Sequence, residues 1–186
     1  MDIRFYRESD ADSLWAVLEP AVRAGQTLAM PLDMTQAEAL QYWLDGSSLD
    51  AECGMQNAEA NRSATKPLKV KEVYVAELDG EVVGTYFLRP NQKGGGDHFA
   101  NGGYVTLPSS RGKGVARAMC AHSIERAKEL GYRAIQYNFV VSTNERAVKL
   151  WHSFGFEIVG RLPGAFNHAT LGYVDALVMV LSLRND

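Results

Sequence analysis

Arg111-Gly112-Lys113-Gly114-Val115-Ala116 follows a strand-like segment, Gly103-Tyr104-Val105-Thr106-Leu107, and opens a helical pattern that runs from Val115 to about Leu130. Pro108-Ser109-Ser110 makes the turn between strand and hexamer. A strand, a Gly-rich turn and a helix start are the parts from which a backbone builds an anion site. The first amides of a helix have no intrahelical partner, and the aligned peptide dipoles place partial positive charge there. Gly112 and Gly114 let a ligand approach the main chain, and Arg111 and Lys113 add charge. The natural guest is a pyrophosphate. The hexamer has neither the Gly-x-Gly-x-x-Gly of a dinucleotide fold nor the Gly-Lys-Ser/Thr of a P-loop.

On either side of this motif the chain alternates strands and helices. Ile3 to Arg7 reads as a short strand. Ser9 with Asp12 resembles a capping box before a helix with Leu14, Val17, Leu18, Ala21 and Val22 on one face, closed by Gly25. Thr35-x-x-Glu38 caps a second helix. Residues 49–67 are small and polar without periodicity and read as a mobile loop. Val70 to Leu78 and Glu81 to Leu88 form a hairpin about Asp79-Gly80. Phe99 to Leu107 leads into the hexamer. Gly131 ends the helix after it, and the apolar run Arg133 to Val141 suits a central strand. Ser142-x-x-Glu145 reads as a capping box for the next helix, which Gly155 ends. Phe156 to Leu162 and Gly172 to Leu183 complete the strands, with a loop of Pro163, Gly164, Asn167 and His168 between them.

The order β α α β β β α β α β β, without a repeat or linker, predicts one domain over 1–186. Its class is mixed α/β, a single mixed sheet with helices on both faces. The 186 residues are enough for one sizeable core. A net charge of −3 gives no general pull toward nucleic acid or an anionic membrane. No apolar run has the length of a membrane span, and Met1-Asp2-Ile3-Arg4-Phe5 is not a signal peptide. Cys53 and Cys120 lack metal-ligand spacing and read as reduced thiols in a cytoplasmic protein, with no metal.

The pattern Arg111-x-x-Gly114-x-Ala116, placed between strand and helix, resembles the acetyl-CoA pyrophosphate loop of the GNAT superfamily of N-acetyltransferases. Asn144-x-x-Ala147-x-x-Leu150-Trp151-x-x-x-Gly155-Phe156 resembles that superfamily's segment after the central strand, and the element order is the same. The resemblance implies a mostly antiparallel sheet with a V-shaped opening between the parallel strands Phe99–Leu107 and Arg133–Val141. Acetyl-CoA would lie in the opening as co-substrate. Arg111 and the amides of Gly112, Lys113, Gly114, Val115 and Ala116 would hold the pyrophosphate. The backbone of Thr106 and Leu107 would pair with the pantetheine arm as an added strand, and Asn144 would reach the arm from the other wall. The superfamily often has a tyrosine at position 151 to protonate the leaving thiolate. Trp151 cannot do so and reads as a packing residue.

Asn101, in Asn101-Gly102-Gly103-Tyr104-Val105, and Asn138, in Tyr137-Asn138-Phe139-Val140-Val141, resemble a pair in the fungal proline-analogue N-acetyltransferases and their bacterial relatives. There the matching asparagines face the acceptor, one near its nitrogen and one near its carboxylate. Independently, an amide in an apolar central strand is costly unless satisfied, so Asn138 needs a partner in the protein or in a ligand.

No side chain stands out as general base. Asp97, His98, Tyr104, His168 and Tyr173 are all open candidates. The expected reaction is therefore direct acetyl transfer to a small-molecule amine, without a covalent enzyme intermediate. The Gly25–Leu32 and Pro163–Leu171 loops are the expected acceptor walls. The resemblance implies a small cyclic or aliphatic amino acid or analogue as acceptor, with polyamines, antibiotic amines and protein N-termini also open. The rival reading is a non-catalytic acyl-CoA-binding sensor. Apolar C-terminal strand residues 176–183 could pair across subunits in a homodimer.

Overall fold

The computed structural model describes residues 1–47 and 70–184. The stretch 49–67 read above as a mobile loop, with Cys53, lies outside the described residues. Seven strands form one sheet in the order β1-β2-β3-β4-β5-β7-β6. They are β1 Asp2–Phe5, β2 Glu72–Leu78, β3 Glu81–Pro90, β4 Phe99–Thr106, β5 Ala134–Val141, β6 Glu157–His168 and β7 Gly172–Ser182. The longer helices are α1 Ala11–Ala24, α2 Gln36–Leu44, α3 Val115–Glu129 and α4 Glu145–Ser153.

Alternation along β2 explains the layering, because successive strand side chains point to opposite faces. Tyr74 and Ala76 join a core with Val115, Met119 and Trp151 of α3 and α4. Val73 and Val75 join a second core with Leu14, Val17, Leu18 and Trp43 of α1 and α2. The sheet thus lies between two helical layers, as its element order predicts. At the β2–β3 hairpin, Leu78 pairs with Glu81 and both turn residues have positive φ, 54° at Asp79 and 84° at Gly80. That is the two-residue turn whose twist matches antiparallel strands.

β4 and β5 are parallel, and their register holds only at Phe99↔Ala134 and Ala100↔Ile135. Beyond those pairs the strands part, which is the V-shaped opening. Behind it stands a group of rings. Tyr104 lies 4.9 Å from Trp151, Tyr137 lies 5.0 Å from Trp151, and Tyr137 stacks on Phe156 at 4.5 Å. The Tyr137 hydroxyl donates to the Tyr104 hydroxyl at 2.9 Å, and Tyr104 donates to Ser123 Oγ at 2.7 Å.

Four expectations change. Ser9 does not cap α1. It sits in a 3-10 turn, Glu8–Asp10, and the Arg7 amide donates to Asp10 Oδ2 at 2.8 Å. Ser142 does not cap α4, because Asn144 is the N-cap and accepts from the Ala147 amide at 3.3 Å. The Pro163–Leu171 segment is mostly strand. β6 runs on to His168 through an irregularity between Leu162 and Phe166, where Pro163 need not donate to the ladder. Finally, β7 lies between β5 and β6, so residues 176–180 are flanked by a strand on each side and offer no free edge to another subunit. The edge is β6, where Ile158, Val159 and Leu162 are exposed.

Arg4 anchors β1 to the 3-10 turn. Its Nη1 donates to Asp10 Oδ2 at 2.7 Å and its Nη2 to Asp10 Oδ1 at 2.9 Å, while Nε donates to Glu77 at 3.1 Å. The guanidinium holds the Asp10 carboxyl below the usual carboxylate range against the cost of burial. A carboxyl with a depressed folded-state pKa stabilises the protein above its unfolded value, about 4, and loses that contribution as pH falls through the folded value. Urea unfolding from pH 6 down to pH 2 will therefore show an acid limb to which Asp10 contributes. Asp10→Asn will be less stable than wild type at pH 6, and the difference will shrink toward pH 2. A constant difference across that range would assign the loss to packing.

Candidate active site

Two spaces meet at the opening of the sheet. One is a groove of about 890 Å³ that runs along Thr106, Ser110, Arg111, Gly112, Gly114, Val115 and Ala116. The other is a cavity of about 240 Å³ between Leu28, Met30, Tyr42 and Trp43 on one side and Asn101, Asn138 and Phe139 on the other. Thr27, Tyr104, Asn144, Ala147 and Trp151 line both.

The groove is built for an anion by its backbone. Gly114 is the N-cap of α3 at φ 79°, and Gly112 also has φ 79°. An added Cβ would meet no atom within 4 Å at either position, so the requirement for glycine is conformational rather than steric. The first α-helical bond of α3 is Ala118 N–H to Gly114 C=O at 3.0 Å. The amides of Gly112, Gly114, Val115 and Ala116 have no protein partner among the described residues. Lys113 departs from the expectation, since its amide donates to Ser110 C=O at 3.1 Å and the residue does not line the groove. It adds charge at a distance only.

β4 presents a bare edge to the opening. Phe99 C=O accepts from the Asn91 amide at 2.8 Å, and the Leu107 amide donates to Val83 C=O at 2.8 Å. Odd-numbered residues of β4 therefore direct their backbone groups at β3, and Gly102, Tyr104 and Thr106 direct theirs into the opening. Thr106 keeps its expected place beside an added strand. Leu107 does not. Its amide goes to Val83, and its carbonyl accepts from Ser110 N at 3.0 Å and Ser110 Oγ at 2.8 Å.

A family model described as Acetyltransferase (GNAT) family matches residues 38–156. The chain belongs to the GNAT acetyltransferase family. It is 27% identical over 160 residues to N-acetyltransferase aca1 of Schizosaccharomyces pombe, covering 84% of this chain and 72% of that one. A GCN5-related N-acetyltransferase from Kribbella flavida superposes with a TM-score of 0.78 at 34% identity, covering 97% of this chain and 96% of that one. The putative acetyltransferase yncA from Salmonella typhimurium, solved with acetyl-CoA, shares the fold with a TM-score of 0.75 at 20% identity, over 100% of this chain and 95% of that one.

Asn101 and Asn138 come together on the 240 Å³ cavity. Asn101 is 9% exposed, and its Oδ1 accepts from the Gly102 amide at 2.8 Å, leaving its NH₂ without a partner among the described residues. Asn138 lies where the β5–β7 register breaks between Tyr137 and Val140. It is satisfied inside the protein. Gln136 donates to its Oδ1 at 2.8 Å, and its Nδ2 donates to Asn91 Oδ1 at 2.6 Å. Asn144, while capping α4 with its oxygen, keeps its NH₂ at the junction of groove and cavity.

Asn91 thus orients Asn138 from the loop after β3. Asn91→Ala is expected to lower kcat roughly tenfold, because a misplaced acceptor loses the in-line geometry. The KM for acetyl-CoA will stay near wild type, and Asn91→Asp, which keeps an acceptor oxygen, will restore most of the loss. An Asn91→Asp variant as slow as Asn91→Ala would remove Asn91 from this role.

The cavity lining holds no Asp, Glu, His or Lys among the described residues. Of the five base candidates, only Tyr104 borders it, and burial raises its hydroxyl well above the usual tyrosine range. Burial also pushes the Cys120 thiol up to about 12, so it is no nucleophile at neutral pH. Trp151 is buried among Tyr104, Tyr137 and Phe156, as a packing residue would be. The Thr27–Met30 stretch forms the expected wall, whereas Pro163–Leu171 contributes no lining residue. Sequence reasoning missed Arg89, which borders the cavity from β3. It also passed over the Tyr104–Tyr137 pair, whose members lie 33 residues apart on different strands.

Proposed function

We propose that this GNAT acetyltransferase moves the acetyl group of acetyl-CoA directly onto the amine of a small amino acid or close analogue. One observation carries the reading. An anion-ready groove and a small cavity whose lining, among the described residues, has no acid, histidine or thiol share a junction at Tyr104, Asn144 and Trp151. Acetyl-CoA supplies the acetyl group as a thioester. The amine nitrogen forms the new C–N bond as the C–S bond breaks, and the proton lost by the amine is balanced by the one gained by the thiol.

The residues bind and orient. The free amides of Gly112, Gly114, Val115 and Ala116, with Arg111, fit the pyrophosphate. Thr106 backbone groups fit the arm. The Tyr104 amide, which parity turns into the opening, is the donor for charge developing on the carbonyl oxygen. Asn101 and Asn138 fix the acceptor. With no carboxylate, histidine or lysine lining the cavity among the described residues, the neutral amine is selected by desolvation and water carries its proton away.

The test is free-thiol release from acetyl-CoA with amino acids, imino acids, polyamines, aminoglycosides and peptides as acceptors. Turnover with small amino or imino acids supports the reading. Turnover confined to peptides or polyamines would sink the choice of acceptor.

A further inference from the structure

Arg89 and Asn101 are direct cross-strand partners in the β3–β4 register. Opposite residues of an antiparallel pair project from the same face. That face is the one on which Thr85 meets Trp43 and Val105 joins the α1–α2 core, and it is also the acceptor side. Both residues line the 240 Å³ cavity. The Arg89 guanidinium has no ion pair or hydrogen bond among the described residues, and its Cζ lies 5.7 Å from the centre of the Phe87 ring. Nine-tenths-buried Asn101 turns an unpartnered NH₂ to the same space, its oxygen being held by the Gly102 amide. Asn138 commits one amide hydrogen to Asn91 and keeps the other.

These groups are donors, and one carries a full positive charge. No carboxylate lines the cavity to balance it among the described residues. Such a site attracts an anionic group and repels a polycation. An exposed guanidinium at the cavity rim and an amide NH₂ on the facing strand position are donors of the kind that bind the two oxygens of a carboxylate.

We infer that Arg89 is the acceptor-specificity residue, holding the carboxylate of an amino or imino acid together with Asn101. This rests on the acetyl-transfer reading above but goes further, because it assigns the acceptor's charge to one side chain. Polyamines and aminoglycosides, whose extra groups are cationic, are excluded by the same side chain.

The test pairs acceptors that differ only in the carboxylate, L-proline against pyrrolidine and L-alanine against ethylamine. Wild type will favour the carboxylate-bearing member in kcat/KM. In Arg89→Ala the ratio within each pair will fall by about 10- to 100-fold, mostly through the acceptor's KM, as expected for losing a charge-assisted contact. Arg89→Lys will recover part of the ratio, and Arg89→Glu will lower it further. The KM for acetyl-CoA and the melting temperature serve as controls for the fold. An unchanged ratio in Arg89→Ala, or a wild type that uses pyrrolidine as well as proline, would overturn the assignment and leave acetyl transfer standing. Should wild type turn over none of these amines, calorimetry of the same four compounds with CoA present decides. Carboxylate-dependent binding lost in Arg89→Ala upholds the assignment while the transfer reading falls, and absence of such binding overturns both.

Discussion

Replacing Gly114 with valine is expected to raise the KM for acetyl-CoA about 10- to 100-fold, the scale of one or two lost charge-assisted hydrogen bonds. Gly114 holds φ 79° at the start of α3. A β-branched residue is a true outlier in that conformation. Holding it there costs about 1–3 kcal/mol. The cheapest escape is for the backbone to rotate, since among the described residues no atom beyond the chain neighbours lies within 4 Å of the position a Cβ would take to hold the side chain in place. Rotation would turn the amides of Gly114 and Val115 away from a common focus. The melting temperature will change by only a few degrees, since each kcal/mol moves a domain of this size by roughly 2–4 °C. Gly114→Ala will show a smaller change in the same direction. A valine variant with wild-type KM for acetyl-CoA would show that these amides do not hold the pyrophosphate.

Trp43→Ala is expected to give the largest loss of stability, about 3–5 kcal/mol for a buried tryptophan cut to alanine. At the scale above, that is a fall in melting temperature of roughly 10 °C. Trp43 is 1% exposed and packs edge-on against Phe87 with ring centres 5.0 Å apart. Its Nε1 donates to Thr85 Oγ1 at 3.2 Å, and Thr85 in turn donates to Tyr74 C=O at 2.8 Å. Trp43→Phe, which keeps a ring but loses this donor, will cost less. Because Trp43 also walls the acceptor cavity, the phenylalanine variant will raise the acceptor's KM while leaving that for acetyl-CoA near wild type. Equal stability losses for the two variants would assign the effect to the hydrogen bond rather than to ring volume.

The element order, the turns and the anion loop were legible in the amino-acid sequence because each is a local matter. Asp79-Gly80 forces a two-residue hairpin, Thr35-x-x-Glu38 forms a reciprocal cap, and glycines follow α1 and α3 where a left-handed residue is needed. The two GNAT-like segments are likewise short and continuous. Local rules failed where a distant group competed. Ser9 lost its place to Asp10 because Arg4, itself held by Glu77, binds that carboxylate through two hydrogen bonds. Ser142 lost to Asn144, which lies two residues closer to the helix. Leu107 and Lys113 were assigned to the ligand by position, but both amides are spent on neighbours that only the folded loop brings near.

The acceptor side was least legible, since it is assembled from β3, β4, β5 and the loop after α1. Sequence placed Asn101 and Asn138 as candidates through resemblance. It offered no sign that Asn91 would reach Asn138 or that Arg89 would face Asn101. Those relations depend on strand register and on a bulge in β5, which shift side chains by whole faces of the sheet. By itself, then, the sequence determined the secondary structure, the family and the anion-binding turn, all written in contiguous residues. The tertiary structure alone decided which backbone amides stay free, where the two spaces join and which charge faces the acceptor, because each depends on contacts between residues far apart in the chain.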